Sequence, residues 1–213
     1  MQFCELLQVS RGVTAIIGSG GKTTLLYLLA DELSHKGSVI VTTTTHIFPP
    51  EHLPYTETVK AVQGIAVVGT PCEGGKLTAP QQSFAELARL AEYVLVEADG
   101  SHRLPLKAHA PHEPVIPENT ARVLTVVGAS GLNRPVAEVV HRPERFAALT
   151  DGAAIATPQA VAKALIAENL SRRVVINQGD LRDQVVPALK LKALLPYPTV
   201  IAALQRRELI CSY

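Results

Sequence analysis

The chain alternates short runs of β-branched, apolar residues with longer stretches whose apolar positions recur every three or four residues. Runs of the first kind, bounded by Gly, Pro, Asp or Asn, are typical of strands buried on both faces, and the longer stretches are typical of helices. The alternation predicts an α/β fold, a mainly parallel sheet covered by helices. Strands are expected at residues 13–17, 38–41, 64–68, 93–96, 122–127, 173–176 and 199–203, and helices at 23–35, 80–91, 158–169 and 181–195.

Proline interrupts this pattern in three places. Pro187 falls inside the last helical stretch and predicts two short pieces or a kinked helix there. Residues 48–57 and 100–119 are rich in proline, which prevents regular helix. We expect irregular loops in both segments, and long loops in a compact domain often carry function.

Composition and charge narrow the class of protein. The chain has 213 residues, 47% of them hydrophobic, and its length favours one domain over residues 1–213. A net charge of +1 argues against binding to nucleic acid or to an anionic membrane. Glu5 is acidic, whereas a secretory signal peptide begins with basic residues. The three cysteines are far apart in sequence, which is typical of a protein in a reducing compartment. We expect a cytoplasmic protein.

The strongest chemical motif is GSGGKTT, which lies directly between a predicted strand and a predicted helix. Glycines allow the backbone to turn tightly and to direct N–H groups at a phosphate beside a helix N-terminus. The usual phosphate loop has a Gly six residues before its Lys, but Ile16 stands there, so this loop is the shortened G-x-x-G-K-T-T form. Lys22 would reach the terminal phosphates and the Thr23 hydroxyl would hold Mg²⁺. The residues expected to bind phosphate are Gly18, Ser19, Gly20, Gly21, Lys22, Thr23 and Thr24.

Acidic residues end the predicted strand at 93–96. Glu97 and Asp99 lie at its carboxyl edge, where open α/β sheets bind ligands, and they share a face because side chains alternate along a strand. A carboxylate there can hold the Mg²⁺ that bridges phosphates, or orient an attacking water. The alternative is a strand-end turn with a solvated Glu.

Polar residues also follow two other predicted strands. Thr43, in the run TTTTH, is a candidate ligand of phosphate or Mg²⁺, although Thr is also an ordinary strand residue. Asn177 and Asp180, in NQGD, resemble the N-K-x-D motif with which GTPases recognise guanine, with Gln178 in place of Lys. A common turn is the alternative for NQGD, so the base, ATP or GTP, stays open.

The proline-rich segment 100–119 carries further candidates. His102, His109 and His112 with Glu113 have the atoms for a transition-metal site, but their spacing matches no standard pattern and favours solvent-exposed loop histidines. Lys107 is a better candidate, as a mobile positive charge near the phosphates, the alternative being a solvated lysine.

Two more loops have open interpretations. Residues 126–131 form a strand that runs into small residues, where either a ligand approaches the backbone or the chain simply turns. Residues 141–144, with the sequence HRPE, are expected to open a helix as a surface cap.

In this order, GSGGKTT, TTTTHI, VEADGS with Lys107 following, HRPE and NQGD resemble the YqeC family over nearly the whole chain. The resemblance implies a P-loop NTPase-like fold and a role as an accessory protein in maturing a selenium-dependent molybdenum hydroxylase or its cofactor. Two departures stand out. Gln178 replaces an expected Lys, which weakens guanine recognition, and Ala129 and Ser130 stand where this family is expected to have an acidic residue.

The shortened loop is also similar to that of the Mur ligases, which have G-T-x-G-K-T-T, bind ATP and place a Glu on Mg²⁺. By this likeness Glu97 would be the metal ligand. The chain is too short for the extra substrate domains of those ligases, so peptide ligation is not expected.

Together these observations predict a three-layer, P-loop NTPase-like protein that binds Mg²⁺ and ATP or GTP and hydrolyses the nucleotide or transfers its phosphoryl group. The expected catalytic residues are Lys22, Glu97 and Asp99, with Thr23 and Glu97 on the metal. The expected partners are a nucleoside triphosphate and a molybdenum hydroxylase or its cofactor-synthesis enzymes. The alternatives are a nucleotide-gated chaperone or carrier with little turnover, and a kinase or ligase for a small molecule.

Overall fold

A computed structural model describes residues 2–50, 53–180 and 182–212. The chain forms two compact units, and each is described by itself. The first unit comprises Met1–Ile17, Thr23–Gly100 and Val115–Val123, and the second comprises Gly18–Lys22, Ser101–Pro114 and Leu124–Tyr213.

The first unit is built on parallel strands in the order β1, β7, β2, β4, β3. All residues of β2 and β7 are buried, as expected for strands covered on both faces. A small antiparallel hairpin, β5 with β6, lies outside this sheet. The strands are β1 Gly12–Gly18, β2 Val39–Thr43, β3 Tyr55–Thr56, β4 Ile65–Val68, β5 Thr70–Cys72, β6 Lys76–Thr78 and β7 Tyr93–Glu97.

The helices of the first unit are α1 Phe3–Leu6, α2 Lys22–Ser34, whose first residue belongs to the second unit, and α3 Phe84–Leu90. Helix α2 buries the leucines that recur every three or four residues along it, among them Leu25, Leu29 and Leu33. Helix α3 begins at a capping box, in which the Ser83 hydroxyl accepts from the Glu86 N–H and the Glu86 carboxylate accepts from the Ser83 N–H. That reciprocal pair fixes the start of α3 four residues after the predicted one.

The second unit has its own set of strands in the order β13, β12, β11, β9. β9, β11 and β12 are parallel, and β13 runs antiparallel to β12. A separate parallel pair joins β8 to β10. The strands are β8 Leu106–Lys107, β9 Thr120–Gly128, whose first four residues belong to the first unit, β10 Val140–His141, β11 Val174–Asn177, β12 Thr199–Ala203 and β13 Glu208–Cys211.

The helices of the second unit are α4 Val136–Val139, α5 Pro143–Leu149, α6 Pro158–Glu168 and α7 Val185–Leu194. Phe146, Val161 and Leu191 from three of them share one apolar core with β9, β11 and β12. Pro187 does not break or kink α7, contrary to expectation, because it falls in the first turn, where its missing N–H has no partner within the helix. Leu181, the predicted start of this helix, lies outside the described residues.

The prediction of an α/β fold with a mainly parallel, helix-covered sheet, as in three-layer P-loop NTPase-like proteins, is confirmed. The prediction of a single domain stays a prediction. None of the helices in the described part of the chain is long and apolar enough to cross a bilayer.

Candidate functional site

The predicted phosphate loop connects the end of β1 at Gly18 to the start of α2 at Lys22. Gly18, Gly20 and Gly21 all have positive φ angles, of 92°, 79° and 137°. At Gly20 only glycine fits, since a Cβ atom there would lie 2.5 Å from the Cα of Gly128. The loop therefore depends on glycine for its backbone conformation and for its close approach to neighbouring backbone.

The amino group of Lys22 is buried within the second unit. Its Nζ donates to the carbonyl oxygen of Gly18 at 2.8 Å and to the hydroxyl of Ser101 at 3.1 Å. The bond to Gly18 folds the Lys22 side chain back over the loop. The amino group of Lys22 therefore lies at the loop. Nζ is thus held where a phosphate cradled by residues 18–22 would meet it.

Residues 101–105, the beginning of the proline-rich segment, lie against the phosphate loop in the second unit. Besides the Ser101 contact with Lys22, the hydroxyl of Ser19 donates to the carbonyl oxygen of Leu104. The Pro105 carbonyl accepts from the N–H of Gly128 at 2.9 Å. Residues 101–104 therefore accept hydrogen bonds from two polar side chains of the loop, Ser19 and Lys22.

In the first unit, Thr23 and Glu97 form a hydrogen-bonded pair. The Thr23 hydroxyl donates to Glu97 Oε2 at 2.7 Å, and Glu97 is buried at the end of β7. Tyr27, one helical turn after Thr23, has its pKa raised by burial and by the nearby charge of Glu97. The structure thus brings together the two residues predicted to ligate Mg²⁺.

Three further predicted residues, Thr43, Asp99 and Thr24, lie in the first unit. The Thr43 hydroxyl donates to the backbone carbonyl of Glu97 at 2.8 Å and accepts from the Thr45 N–H at 2.9 Å. Thr43 therefore positions the end of β7 in this structure. Asp99 is completely buried, two residues beyond Glu97. Thr24 is half-buried in the first turn of α2.

Lys107 is not the mobile cation expected from the sequence. Its buried Nζ pairs with Glu113 Oε2 at 3.0 Å, and Arg142 donates to both oxygens of the same carboxylate, at 2.9 and 3.2 Å. Burial alone would raise the pKa of Glu113, but hydrogen bonds from Arg142 and Lys107 and their positive charges lower it to about 2. The three side chains form a fixed ion-pair cluster.

The HRPE stretch differs from a surface cap. Pro143 does begin a helix, as predicted, but Arg142 caps it without a side-chain hydrogen bond and turns its guanidinium to Glu113. His141 lies in β10 and stacks on His102 with ring centroids 4.5 Å apart. Burial and the charges of Lys107, His102 and Arg142 lower the pKa of His141.

The histidines of segment 100–119 do not form a metal site. His102 and His112 are exposed, as expected, but His109 is buried and its Nδ1 lies 2.9 Å from Glu168 Oε2. Within the described residues, no group of three or more His, Cys, Asp or Glu side chains is placed to hold a metal ion. The expectation of an exposed histidine is therefore wrong for His109, because a carboxylate distant in sequence pairs with it.

The NQGD turn lies beside the phosphate loop in the second unit. Asn177 donates through Nδ2 to the carbonyl of Gly20 at 2.8 Å and accepts the N–H of Leu204 at its Oδ1, at 3.0 Å. Asp180 forms an ion pair with Arg206. Asn177 thus contacts the loop at Gly20 and links it to Leu204, whereas Asp180 contacts Arg206.

The two departures from the family pattern contact each other. The Ser130 hydroxyl donates to Gln178 Oε1 at 2.6 Å. Packing explains why residue 128 is glycine, since a Cβ atom there would lie 2.9 Å from the Pro105 carbonyl oxygen. The approach of a ligand to this backbone is not needed to explain it. The interpretation of residues 126–131 as a tight structural turn is therefore the better one.

The sequence did not identify Ser101, Glu113 and Arg206 as partners of the candidate residues. Ser101 lies 79 positions from Lys22 and Arg206 lies 26 positions from Asp180, whereas Glu113 is close to Lys107 in the chain and 29 positions from Arg142. The GSH sequence after Asp99 gave no spacing that could have indicated this contact. The sequence associates Glu113 only with a cluster of histidines.

Comparison with known proteins shows which family the chain resembles. The family model described as YqeC protein matches residues 14–144, more than half of the chain. The uncharacterized protein YqeC of Escherichia coli (strain K12) is 36% identical over 155 residues, which are 65% of this chain and 60% of that protein. The chain thus spans less than two thirds of the length of that relative. The matched stretch includes the phosphate loop, Glu97 and Arg142, and it ends before the NQGD turn.

Proposed function

We propose that this chain, which belongs to the YqeC family, is a Mg²⁺-dependent nucleoside-triphosphate-binding protein that hydrolyses the nucleotide or transfers its phosphoryl group. One observation carries the proposal: a glycine-dependent loop at the start of α2 holds the amino group of Lys22 over its own backbone. Phosphoryl transfer needs chiefly positioning and charge neutralisation, and such a loop supplies both.

The pair of Thr23 and Glu97 supports the metal requirement. A hydroxyl and a carboxylate oxygen 2.7 Å apart are hard oxygen donors of the kind that Mg²⁺ prefers, so these residues fit the ion. Thr23 follows Lys22 directly in the chain, and it and Glu97 would hold the Mg²⁺. The bound ion would neutralise the charge of the triphosphate.

We also propose that the protein serves the maturation of a selenium-dependent molybdenum hydroxylase or its cofactor. This part rests on the family resemblance alone.

A nucleotide-gated carrier with little turnover is the second candidate, and the contacts of residues 101–104 favour it. Ser101 and the Leu104 carbonyl occupy Lys22 and Ser19. A phosphate that takes over these two side chains displaces the segment. Nucleotide occupancy would then be coupled to the conformation of a surface loop, as a carrier requires.

Calorimetric titration of ATP, GTP and CTP, with and without Mg²⁺, tests the proposal. We expect one nucleotide to bind with micromolar affinity and Lys22→Ala to abolish binding, while Lys190→Ala, on the exposed face of α7, binds normally. Absence of binding by every nucleotide would refute the proposed function.

Steady-state phosphate release separates the enzyme from the carrier. An enzyme shows turnover that falls in Glu97→Gln while nucleotide binding without Mg²⁺ survives. A carrier shows negligible turnover, together with a nucleotide-dependent change in protease cleavage within residues 101–114.

A further inference from the structure

The second unit holds a polar pair on two turns that Asn177 links to the phosphate loop. Asn177, at the end of β11, binds the backbone of the phosphate loop at Gly20 with one end of its amide and the backbone of Leu204 with the other. It therefore fixes two turns, residues 177–180 and 204–206, next to the loop. Asp180 in the first turn pairs with Arg206 in the second.

This pair faces solvent in part. The Asp180 side chain is 21% exposed and the Arg206 side chain is 56% exposed. The two groups therefore present acceptors and donors together, on turns held by the same residue that holds the phosphate loop.

The base that this pair matches is guanine. Guanine has two neighbouring donors, N1–H and the N2 amino group, which suit the two oxygens of a carboxylate, and its O6 and N7 accept from a guanidinium. Adenine has one amino donor on that edge beside an acceptor nitrogen, so it leaves part of the carboxylate unsatisfied. A site built to hydrogen-bond one edge rejects the analogue that lacks it.

We propose that Asp180 and Arg206, held beside the phosphate loop by Asn177, form a guanine-recognition subsite in which Asp180 determines base specificity. This inference rests on the proposed function and names its nucleotide. Arg206 pairs with Asp180 in the free protein, and on binding the base takes hydrogen bonds to the carboxylate oxygens in place of Arg206.

Gln178 replaces the Lys of the N-K-x-D motif, but the turn that carries Asp180 is held without that Lys. The side-chain oxygen of Gln178 accepts from the Ser130 hydroxyl at 2.6 Å, so a neutral hydrogen bond anchors the turn. Gln178 also has a positive φ of 63°, a conformation that this anchor helps to maintain. The turn is therefore fixed although its Lys is missing.

The Asp180→Asn variant tests the inference through an expected gain of affinity for a different base, xanthine. Asparagine keeps one acceptor and gains an amino donor, which matches xanthine, whose position 2 carries a carbonyl oxygen in place of an amino group. We expect wild-type protein to bind GDP at least about tenfold more tightly than ADP in the presence of Mg²⁺. In Asp180→Asn, we expect GDP affinity to fall by about tenfold or more and XDP to become the preferred ligand.

Asp151→Asn is the matched control, because Asp151 also forms an exposed ion pair in the second unit, with Lys163. It should leave both affinities unchanged. A wild-type preference for GDP over ADP below about tenfold, or an Asp180→Asn protein that gains nothing for XDP, would overturn the inference. If nucleotides bind through Lys22 without such a preference, only this inference fails; if none binds, the proposed function fails with it.

Discussion

Replacing Glu113 by Gln removes the carboxylate shared by Lys107 and Arg142. The Lys107 side chain is completely buried and that of Glu113 is 20% exposed, so water compensates little for the loss. The variant leaves a buried ammonium group facing a neutral amide, which is the costly way to disrupt a buried ion pair.

The pKa of Glu113 sets the size of the effect. A carboxyl group whose pKa falls from 4.5 to about 2 on folding contributes about 3 kcal/mol to the free energy of unfolding at neutral pH. Because the folded pKa is depressed, this contribution is complete above pH 4.5 and is lost as the pH falls toward 2. We therefore expect Glu113→Gln to lose about 3 kcal/mol at pH 7, and about 1 kcal/mol less than that at pH 3.5.

Urea unfolding of both proteins at pH 7 and pH 3.5 measures this difference. Glu138→Gln serves as the control, since its partner Arg134 and Glu138 itself are both more than half exposed. It should change the free energy of unfolding by less than about 1 kcal/mol. A loss below about 1 kcal/mol in Glu113→Gln, or a loss that does not change with pH, would show that the cluster is not the buried ion pair described here.

Three further outcomes follow from the contacts of the loop. Asn177→Ala should weaken nucleotide binding by about tenfold, measured by calorimetry, because it frees the phosphate loop from the neighbouring turn. Glu97→Gln should abolish the dependence of nucleotide affinity on Mg²⁺ while affinity without Mg²⁺ stays within about twofold of wild type, and an unchanged Mg²⁺ dependence would exclude Glu97 as a ligand. Ser101→Ala should strengthen pyrophosphate binding by about threefold, because Lys22 loses a competing partner; weaker binding would mean that Ser101 helps to bind the phosphate.

The sequence predicts those parts of the molecule that local patterns determine. Strands such as β7 and β11 are buried on both faces and therefore appear as continuous apolar runs, and the glycines with Lys22 predict the loop between β1 and α2. Two-residue strands such as Tyr55–Thr56 are too short to produce a pattern. Tyr55–Thr56 is a strand because it pairs with the longer β4, and Leu106–Lys107 is a strand because it pairs with Val140–His141.

The candidate site depends on contacts that no local pattern contains. Lys107 is fixed rather than mobile because Glu113 also binds Arg142, 29 positions away in the chain. His109 is buried because Glu168, 59 positions away, pairs with it. Both interactions need the folded backbone, so the sequence identifies the chemical groups but not their partners.

Amide hydrogen exchange of the phosphate loop tests the central claim most directly. In a bound complex, N–H groups of residues 18–24 donate to phosphate oxygens, so their exchange should slow by at least about tenfold when Mg²⁺ and GTP are added to the wild type. The Lys22→Ala protein should show no slowing at the same nucleotide concentration. Nucleotide binding that leaves the exchange of residues 18–24 unchanged would contradict the account, because the phosphates would then lie elsewhere.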